Sequence, residues 1–598
     1  MNHRRSSLGM FAIAALAALG TACSSSSPGG GTGGASKSSG GTQGSGGVPG
    51  TGGAGTASGG NTGGGSTGGA PSTGGSTITG GSTKTGGTTI SGGSASTGGT
   101  PGTGGVIISG GSTPTGGSNP SGGVASTGGT ITTGGATITG GMTGTGGSTG
   151  IQVCPSLPGA PSGTPPLPSP AQLSYQRTEM TSFIHIGMAT FDGTEQCNPS
   201  DPVSTFAPTK LDATSVTQWV TSLKSAGFRQ AMLVTKHSCG FVLWPSKHTD
   251  YSTKNSTWKG DVLQLWTDAM KANDMRVAIY YSPWDQHYTS SKADYETYFK
   301  NQLTELMSYG TAYEFEFDGF NSPTSGNVNW KNVFQFIRQA QPNTLIWAGP
   351  EVVNTGATPD VQWIGNENGT GTRSTSSLDT TNCGKGTTYC PYECNTSSHR
   401  PDWFWHPGRN PIALADVQKN YFQTVGMNCT FNFNVPPSTT GEFDPKDIAL
   451  LQQFGTWYNG LYQKNLLKGQ PATADSTWTN AGFEATKAVD DEICSYWAAG
   501  SGKTSASLTV TPAAPITINL ISIREAIELG ERVKKYHVEI MQNGNWVTAP
   551  TDKSGTKIQG TVIGNRQLWQ LNGTSAEAVR LVIDSAKDAP TIAEFSAY

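Results

Sequence analysis

The residues best suited to chemistry form an alternation of aromatic and acidic side chains that ends on Asp318. Residues 313–321 have the sequence YEFEFDGFN. Successive side chains of a β-strand point to opposite faces, so the acids at 314, 316 and 318 share one face. Burying bare carboxylates is costly, so this acidic face needs water, counter-charges or a substrate. The aromatic face can pack under helices.

Two interpretations of Asp318-Gly319 are open at this point. An Asp-Gly pair is commonly just a turn. In an α/β barrel, however, catalytic residues lie where each strand ends and its loop begins. The rest of the chain decides between the two.

Apolar and amphipathic segments alternate after the proline-rich stretch at 155–170. The predicted strands are residues 182–187, 230–235, 276–282, 313–318, 344–348, 361–364 and 428–435. The predicted helices are residues 212–226, 261–271, 294–309, 330–340 and 415–423. This alternation predicts an α/β fold, a closed (β/α)8 TIM-like barrel rather than an open doubly wound sheet. No Gly-rich phosphate fingerprint follows a strand, which argues against a nucleotide site.

Polar and aromatic residues follow several predicted strands and would share the mouth of the barrel. They are His185, His237, Tyr280, Trp284, Asp285, Asp318, Glu351 and Glu367, together with Trp244, Trp363 and Trp405. Sugar rings suit such a pocket, because aromatic side chains stack on their apolar faces while carboxylates and imidazoles bond their hydroxyls. Paired carboxylates beside a sugar predict glycoside hydrolysis.

The two ends of the chain differ from this pattern. Arg4 and Arg5, an apolar run at 8–19 and Cys23 predict an export signal, with a lipoprotein-type lipid on Cys23 or twin-arginine export as routes. Residues 24–150 are Gly, Ser and Thr with a recurring TGG, which predicts a disordered linker, the alternative being a β-solenoid of Gly repeats. From residue 472, short alternating strands predict an all-β sandwich.

We therefore divide the chain into an export signal (1–23), a linker (24–150), a catalytic barrel (151–468) and a β-sandwich (469–598). The protein is expected to be exported, as a cell-surface or outer-membrane lipoprotein or in secreted form. The formal charge of −3 gives no indication of a nucleic-acid partner, and the only membrane contact expected is the lipid on Cys23.

Eight further cysteines predict disulfides in an exported chain, with the pairing left open. They are Cys154, Cys197, Cys239, Cys383, Cys390, Cys394, Cys429 and Cys494. The spacing of Cys383, Cys390 and Cys394 suggests a loop staple. A zinc site is the alternative there, although no C-x2-C pair occurs.

At these positions the chain resembles glycoside hydrolase family 29, the retaining α-L-fucosidases. The matching segments are FIHIGMATFDG, AGFRQAMLVTKHSCGFVLWPSKHTDYSTKNSTW, GDVLQLWTDA, VAIYYSPWD, YFKNQLTEL, EFDG, PDVQWIGNENG, ECNTSSHRPDWFWHP and NVPPS. They span the predicted barrel and are most similar to the branch acting on α-1,3/1,4-linked fucose. FEATKAVDDEICSYWAA, INLISIREAIELGERVKKYHVEI and VRLVIDSAKDAPTIAEFSAY resemble a galactose-binding-like jelly roll.

The resemblance implies a role for each matching residue. Asp318 is expected to be the nucleophile and Glu367 of GNENG the acid/base, with Glu351 as the alternative acid/base. The expected substrate-binding residues are His185, Glu195, His237, Tyr280, Trp284, Glu316, Glu351 and Trp405. The implied partners are fucosylated oligosaccharides or glycoconjugates, with no metal and no cofactor.

Three residues depart from the family's usual pattern. Ser238 replaces the second histidine of a pair, Glu316 a tryptophan two residues before the nucleophile, and Gln196 a tryptophan after Glu195. They keep open a weakened surface lectin or adhesin on the same barrel. A metal hydrolase would need a ligand cluster that the sequence does not show. Beside Glu316 we expect a cation, from Arg400 or Lys236, or else a protonated Glu316.

Overall fold

The computed structural model of the protein describes residues 154–598, apart from 321, 379–382 and 384–386. The predicted export signal (1–23), the lipid on Cys23 and the linker (24–150) lie outside the described residues and stay predictions. Within the described part of the chain, no helix is long and apolar enough to cross a membrane.

Eight parallel strands close into a barrel in chain order, which confirms the predicted TIM-like fold. The strands are β1 (Met180–Ile184), β2 (Gln230–Lys236), β3 (Arg276–Tyr281), β4 (Glu314–Phe317), β5 (Leu345–Ala348), β6 (Val361–Trp363), β7 (Tyr392–Ser397) and β8 (Cys429–Asn434). The helices are α1 (Pro170–Thr178), α2 (Met188–Asp192), α3 (Ala213–Ser225), α4 (Val262–Ala272), α5 (Tyr295–Ser308), α6 (Trp330–Ala340), α7 (Leu414–Thr424) and α8 (Pro445–Leu461). Strand β7 was not among the predicted strands.

Strand β4 follows the predicted alternation. Phe315 and Phe317 are fully buried in the core between strands and helices, where Phe317 stacks on Phe334 of α6. Glu314 and Glu316 therefore point into the barrel, where they are 0% and 2% exposed. The alternation carries on to Asp318, the first residue after the strand.

A bulge in β2 decides which side chain reaches the barrel mouth. The register of β2 against β3 shifts between Val234 and Lys236. Val234 packs inside the barrel, whereas Lys236 lies in the outer layer, paired with Asp285 at 3.1 Å and 4.3 Å from the centre of the Tyr281 ring. The extra residue of the bulge leaves His237 on the inner side of the mouth.

The C-terminal part is a β-sandwich, as predicted. Its strands are β9 (Ala472–Ala474), β10 (Trp497–Ala498), β11 (Ala506–Val510), β12 (Ile516–Glu525), β13 (Val533–Gln542), β14 (Asn545–Thr548), β15 (Gln559–Gly560), β16 (Gln567–Ala576), β17 (Ala578–Ala586) and β18 (Thr591–Ala597). They form a four-stranded sheet, β10-β18-β12-β16, and a six-stranded sheet that contains β14-β13-β17-β11-β9. The paired strands of both sheets run antiparallel, and one core lies between them.

Four disulfides join the eight cysteines of the described chain. They are Cys154–Cys494, Cys197–Cys239, Cys383–Cys390 and Cys394–Cys429. The predicted loop staple is thus the Cys383–Cys390 bridge. The alternative of a zinc site at these cysteines is wrong, because all three are oxidised.

Buried ion pairs join the barrel to the sandwich. Glu179, 6% exposed at the end of α1, accepts hydrogen bonds from Arg524 and Arg566, the latter at 2.8 Å. Arg177 of α1 pairs with Glu528 at 2.9 Å. The guanidiniums of Arg524 and Arg566 therefore share the one buried carboxylate of Glu179.

Glu179→Ala should lower the free energy of unfolding by ~3–5 kcal/mol, because it leaves two guanidiniums without their buried partner. Chemical denaturation measures the change. Lys210→Ala is the matched control: Lys210 forms an exposed pair with Glu442 at 3.0 Å, which should contribute only ~0–1 kcal/mol. A Glu179→Ala loss as small as that of the control would show that the pairs do not stabilise the interface.

Candidate active site

Asp318 lies exposed at the barrel mouth, directly after β4. The Tyr280 hydroxyl donates a hydrogen bond to its Oδ2 at 3.2 Å, and Ser282 Oγ donates to its backbone carbonyl at 3.0 Å. The surrounding walls shield the carboxyl from bulk water and raise its pKa, which the bond from Tyr280 lowers again. The charges of Glu351 and Glu367 also raise the pKa of Asp318, so both acids lie within electrostatic reach of it.

Gly319 allows a tryptophan to pack against the backbone beside Asp318. Its φ of 92° is in the left-handed region, and a Cβ there would lie 3.2 Å from Cβ of Trp284. Trp284 is half-buried, and its backbone N–H donates to Ser282 Oγ at 3.1 Å. One aromatic wall of the pocket therefore stands next to the acid.

His185 is a neutral hydrogen-bond acceptor toward the pocket. Its Nδ1 lies 2.8 Å from Asn434 Oδ1, while the Asn434 amide nitrogen donates to Ser397 Oγ and the Trp403 carbonyl. Asn434 Oδ1 must then accept from Nδ1–H, which leaves the lone pair on Nε2. Burial, followed by the nearby His237, lowers the pKa of His185 to about 3.

The proton of His237 can be assigned in the same way as that of His185, from its contacts with Ser238 and Gln196. Ser238 Oγ donates to Gln196 Oε1 at 3.0 Å and lies 3.3 Å from His237 Nδ1. Because the hydroxyl proton is used on Gln196, the Ser238 oxygen accepts from Nδ1–H, and His237 Nε2 keeps its lone pair. Burial lowers the pKa of His237 to about 4, and its ring stacks on Tyr280 at 6.0 Å.

Glu195 holds the loop that follows β7. Its carboxylate accepts from the backbone N–H groups of Trp403 at 2.7 Å and Phe404 at 3.3 Å, and from His406 Nε2 at 2.5 Å. Burial raises the pKa of Glu195, and these hydrogen bonds oppose the rise. The half-buried Trp405 lies on the same loop, so the hydrogen bonds of Glu195 also help to place this residue.

The two candidate acid/base residues lie on different loops. Glu367 follows β6 and accepts a hydrogen bond from Arg400 Nη1 at 2.8 Å in a partly exposed pair. Glu351 lies in a 3-10 helix, Pro350–Thr355, and a Cβ on Gly349 would lie 2.6 Å from its Oε2. Of the two charges, that of Glu351 acts more strongly on Asp318.

Among the described residues no Lys or Arg pairs with Glu316, so the prediction of a cation from Arg400 or Lys236 is wrong. Arg400 pairs with Glu367 and Lys236 with Asp285. Glu316 lies enclosed in the barrel, one strand repeat below Asp318, rather than open to the mouth. Burial, and after it neighbouring acids, raise the pKa of Glu316 well above its usual range.

One group of side chains has the donor atoms of a metal site. Ligand atoms of Glu195, Asp402 and His406 lie within 4.8 Å of one another. The contacts already described use the Glu195 oxygens and His406 Nε2, and Arg409 pairs with Asp402 at 2.6 Å. We therefore treat the group as a hydrogen-bonded cluster that fixes the loop.

Sequence reasoning missed Asn434 and Trp403 as parts of the site. Asn434 orients His185, and the Trp403 ring lies 5.3 Å from the His185 ring. The signal for Asn434 was present, because residues 431–434 read FNFN and place Asn432 and Asn434 on one face of β8. Trp403 had no comparable signal, since its position depends on the hydrogen bonds from its loop to Glu195.

Comparisons with known proteins agree with this fold. A sequence profile described as alpha-L-fucosidase matches residues 174–461, and one described as F5/8 type C domain matches residues 471–595. Alpha-L-fucosidase 1 of Arabidopsis thaliana is 32% identical in an alignment 465 residues long, which covers 72% of this chain and 87% of that protein.

Solved structures give the same result. SpGH29 superimposes with a TM-score of 0.66 at 31% identity, covering 73% of this chain and 99% of its own. The Ruminococcus gnavus GH29 fucosidase E1_10125 in complex with fucose gives a TM-score of 0.66 at 25% identity, covering 75% of this chain and 98% of its own.

His185 and His237 should remain neutral between pH 5 and 8, with the proton on Nδ1, because burial lowers both pKa values and Nδ1–H has an acceptor in each case. Nitrogen-detected NMR of 15N-histidine-labelled protein reports both charge and tautomer. The unfolded protein is the control and should titrate near pH 6.5. A folded-state midpoint near 6.5, or a proton on Nε2, would contradict the hydrogen-bond assignment.

Proposed function

The chain belongs to the α-L-fucosidase family, glycoside hydrolase family 29, and we propose that it is a retaining, exo-acting enzyme that releases α-1,3/1,4-linked fucose from glycans. One observation carries the proposal: Asp318 is exposed at the end of β4, with a hydrogen bond from Tyr280 and two further acids within electrostatic reach. Fucosylated oligosaccharides or glycoconjugates are the proposed substrates.

Asp318 is the proposed nucleophile. Its carboxylate attacks the anomeric carbon of fucose, and the bond from that carbon to the leaving oxygen breaks. The hydrogen bond from Tyr280 favours the ionised form that this step requires, against the effect of the surrounding walls. The product of the step is a covalent fucosyl ester on Asp318.

Glu367 is the proposed acid/base. It gives a proton to the leaving oxygen in the first step, then takes one from the water that attacks the ester and restores Asp318. Glu351 remains the alternative, and its stronger effect on Asp318 supports testing both. The partly exposed pair with Arg400 leaves Glu367 free to change partner when substrate arrives.

The two histidines are suited to hold sugar hydroxyls. Each presents an unprotonated Nε2, so each accepts a hydrogen bond from an O–H group of the substrate. Trp284 beside Gly319 and Trp405 on the loop held by Glu195 are both half-buried, and they are the proposed apolar faces for the ring. An acceptor pair beside aromatic walls matches a monosaccharide that has several hydroxyl groups and one apolar face.

The lectin alternative rested on Ser238, Gln196 and Glu316. Ser238 and Gln196 bond to each other and orient His237, so these two departures supply a replacement contact. Glu316 lies below the mouth and takes no space from the sugar. The arrangement therefore supports an active enzyme more than a weakened one.

Incubation with Lewis-type trisaccharides tests the proposal. Fucose should be released, and NMR at early times should show α-L-fucose first, because two displacements return the original configuration. β-L-fucose as the first product would contradict the double displacement. Binding of the trisaccharide without release would support the lectin instead.

Asp318→Ala should reduce turnover roughly 10³-fold or more, because it removes the nucleophile, while circular dichroism remains unchanged. Glu367→Ala should be slow on natural glycans, because the leaving oxygen receives no proton. Azide attacks the fucosyl ester without a base, so it should restore turnover of an aryl fucoside, whose leaving group needs no proton. Glu351→Ala is the matched comparison. Azide rescue in Glu351→Ala alone would move the acid/base role to Glu351, and near-normal activity of Asp318→Ala would refute the nucleophile.

A further inference from the structure

Three glutamates are enclosed together in the interior of the barrel. Glu314 and Glu316 lie on β4, and Glu393 lies on β7 across the interior. Their exposed fractions are 0%, 2% and 0%. No step of the proposed hydrolysis uses them, and carboxyls are seldom buried this deeply without a partner.

The hydrogen bonds of the cluster leave several of its oxygens unpaired. Gln230 Nε2 donates to Glu314 at 2.7 Å, and the Tyr175 hydroxyl lies 3.4 Å from Glu393 Oε2. The Asn432 side chain also acts on Glu393 and opposes the rise in its pKa. Among the described residues, one enclosed oxygen of each glutamate and Gln230 Oε1 have no hydrogen-bond partner. A proton on a carboxyl converts an acceptor into a donor, so protonated glutamates can satisfy neighbouring oxygens.

Cations do not balance these acids. In the part of the chain that the structure describes, no Lys or Arg forms an ion pair with Glu314, Glu316 or Glu393, and the nearby Lys236 is committed to Asp285. Several buried carboxylates without a cation would cost far more than a proton on each. The geometry thus favours the neutral form of most of the cluster.

The titratable groups that face Glu316 are all acids or phenols. Glu314 lies on the same strand and Asp318 directly after it, Tyr280 is the register partner of Glu316 on β3, and Tyr175 of α1 and Glu393 of β7 face it across the interior. On β5 the register partner is Trp347, which carries no charge. After burial, Glu393, Glu314 and Asp318 raise the pKa of Glu316, and burial raises that of Glu393 to about 8.

We propose that Glu314, Glu316 and Glu393 share protons inside the barrel, which keeps Glu316 uncharged while Asp318 above it is ionised. The inference rests on the proposed role of Asp318. Along a strand the two acids are ~6.5–7 Å apart, so a charge on Glu316 would oppose the charge that Asp318 needs.

Infrared spectroscopy of the full chain tests the cluster without using activity. At neutral pH the wild type should show the C=O stretch of protonated carboxyls, and Glu316→Gln and Glu393→Gln should each weaken that band. Glu492→Gln, at an exposed position on the sandwich, is the matched control and should leave the band unchanged. Equal bands in wild type and both cluster variants would overturn the proposal.

The pH dependence of unfolding gives a second readout with a definite sign. The folded state holds cluster protons that the unfolded state releases above its ordinary carboxyl pKa, so the contribution of the cluster to stability falls as pH rises from about 5 to 8. His185 and His237 contribute in the opposite direction, and equally in the wild type and the variants. Between pH 5 and 8, the melting temperature of Glu393→Gln should therefore fall less than that of the wild type. The melting temperature of the control, Glu492→Gln, should fall as much as that of the wild type. A parallel fall in Glu393→Gln would contradict the bound proton.

The acidic limb of the pH–rate profile separates a neutral Glu316 from a charged one. Glu316→Gln exchanges a neutral acid for a neutral amide, so the limb should stay within ~0.3 pH units of the wild type. A limb lowered by about one unit would mean that Glu316 carries charge, and would overturn the proposal. Tyr280→Phe is the positive control and should raise the limb, because Asp318 loses the hydrogen bond that favours its ionised form.

The two proposals fail in different ways. If Asp318→Ala remains active while the infrared band responds to Glu316→Gln, the nucleophile is wrong and the cluster stands. If Asp318→Ala is inactive and the band does not respond to Glu316→Gln, the proposed nucleophile stands and the proton-sharing cluster is wrong.

Discussion

The two-residue alternation of β4 is the constraint on which the site depends. The helix layer requires Phe315 and Phe317, which are fully buried against it, and the acids of the strand must then point inward. A slip of one residue would place the aromatic rings in the barrel and the acids under the helices. Depth along the strand then separates the acids into two kinds, because Glu314 and Glu316 are enclosed whereas Asp318 reaches the mouth.

The sequence predicted the elements that repeat a pattern, and failed where a pattern is broken. Strand β7 has the sequence YECNTS, and its polar inward residues Glu393 and Asn395 hide the apolar alternation by which strands are recognised. The bulge at the end of β2 places Lys236 in the outer layer, where it pairs with Asp285, so this residue does not lie beside Glu316 as predicted.

The sequence allowed the candidate residues of the site to be named, but it did not predict the contacts between them. Motif resemblance named Asp318, Glu367 and the histidines, and the fold brings these segments to one mouth. The bond between Ser238 and Gln196 joins residues 42 positions apart, and it depends on loops that the Cys197–Cys239 bridge draws together. In the sequence, Ser238 and Gln196 each suggested the loss of a substrate contact. Their mutual hydrogen bond could be recognised only from a structure that contains both loops.

The loops at the barrel mouth are joined one to the next by hydrogen bonds and a disulfide. The loop after β7 is bound by Glu195 of the β1 loop, which the Cys197–Cys239 bridge joins to the β2 loop. The β2 and β3 loops meet where the Gln286 backbone N–H donates to the Ser238 carbonyl at 2.9 Å. The β3 loop in turn holds the backbone of Asp318 through Ser282.

This series fixes the residues that should contact the sugar before any substrate arrives, which lowers the ordering cost of catalysis. Arg400 and Glu367 form a further hydrogen-bonded pair, in which both side chains are partly exposed, so the pair contributes little to holding Glu367 in place. A nucleophile must be held in one place, whereas an acid/base must meet first a leaving oxygen and then a water. The firm connection to Asp318 and the looser connection to Glu367 match the roles proposed for these two residues.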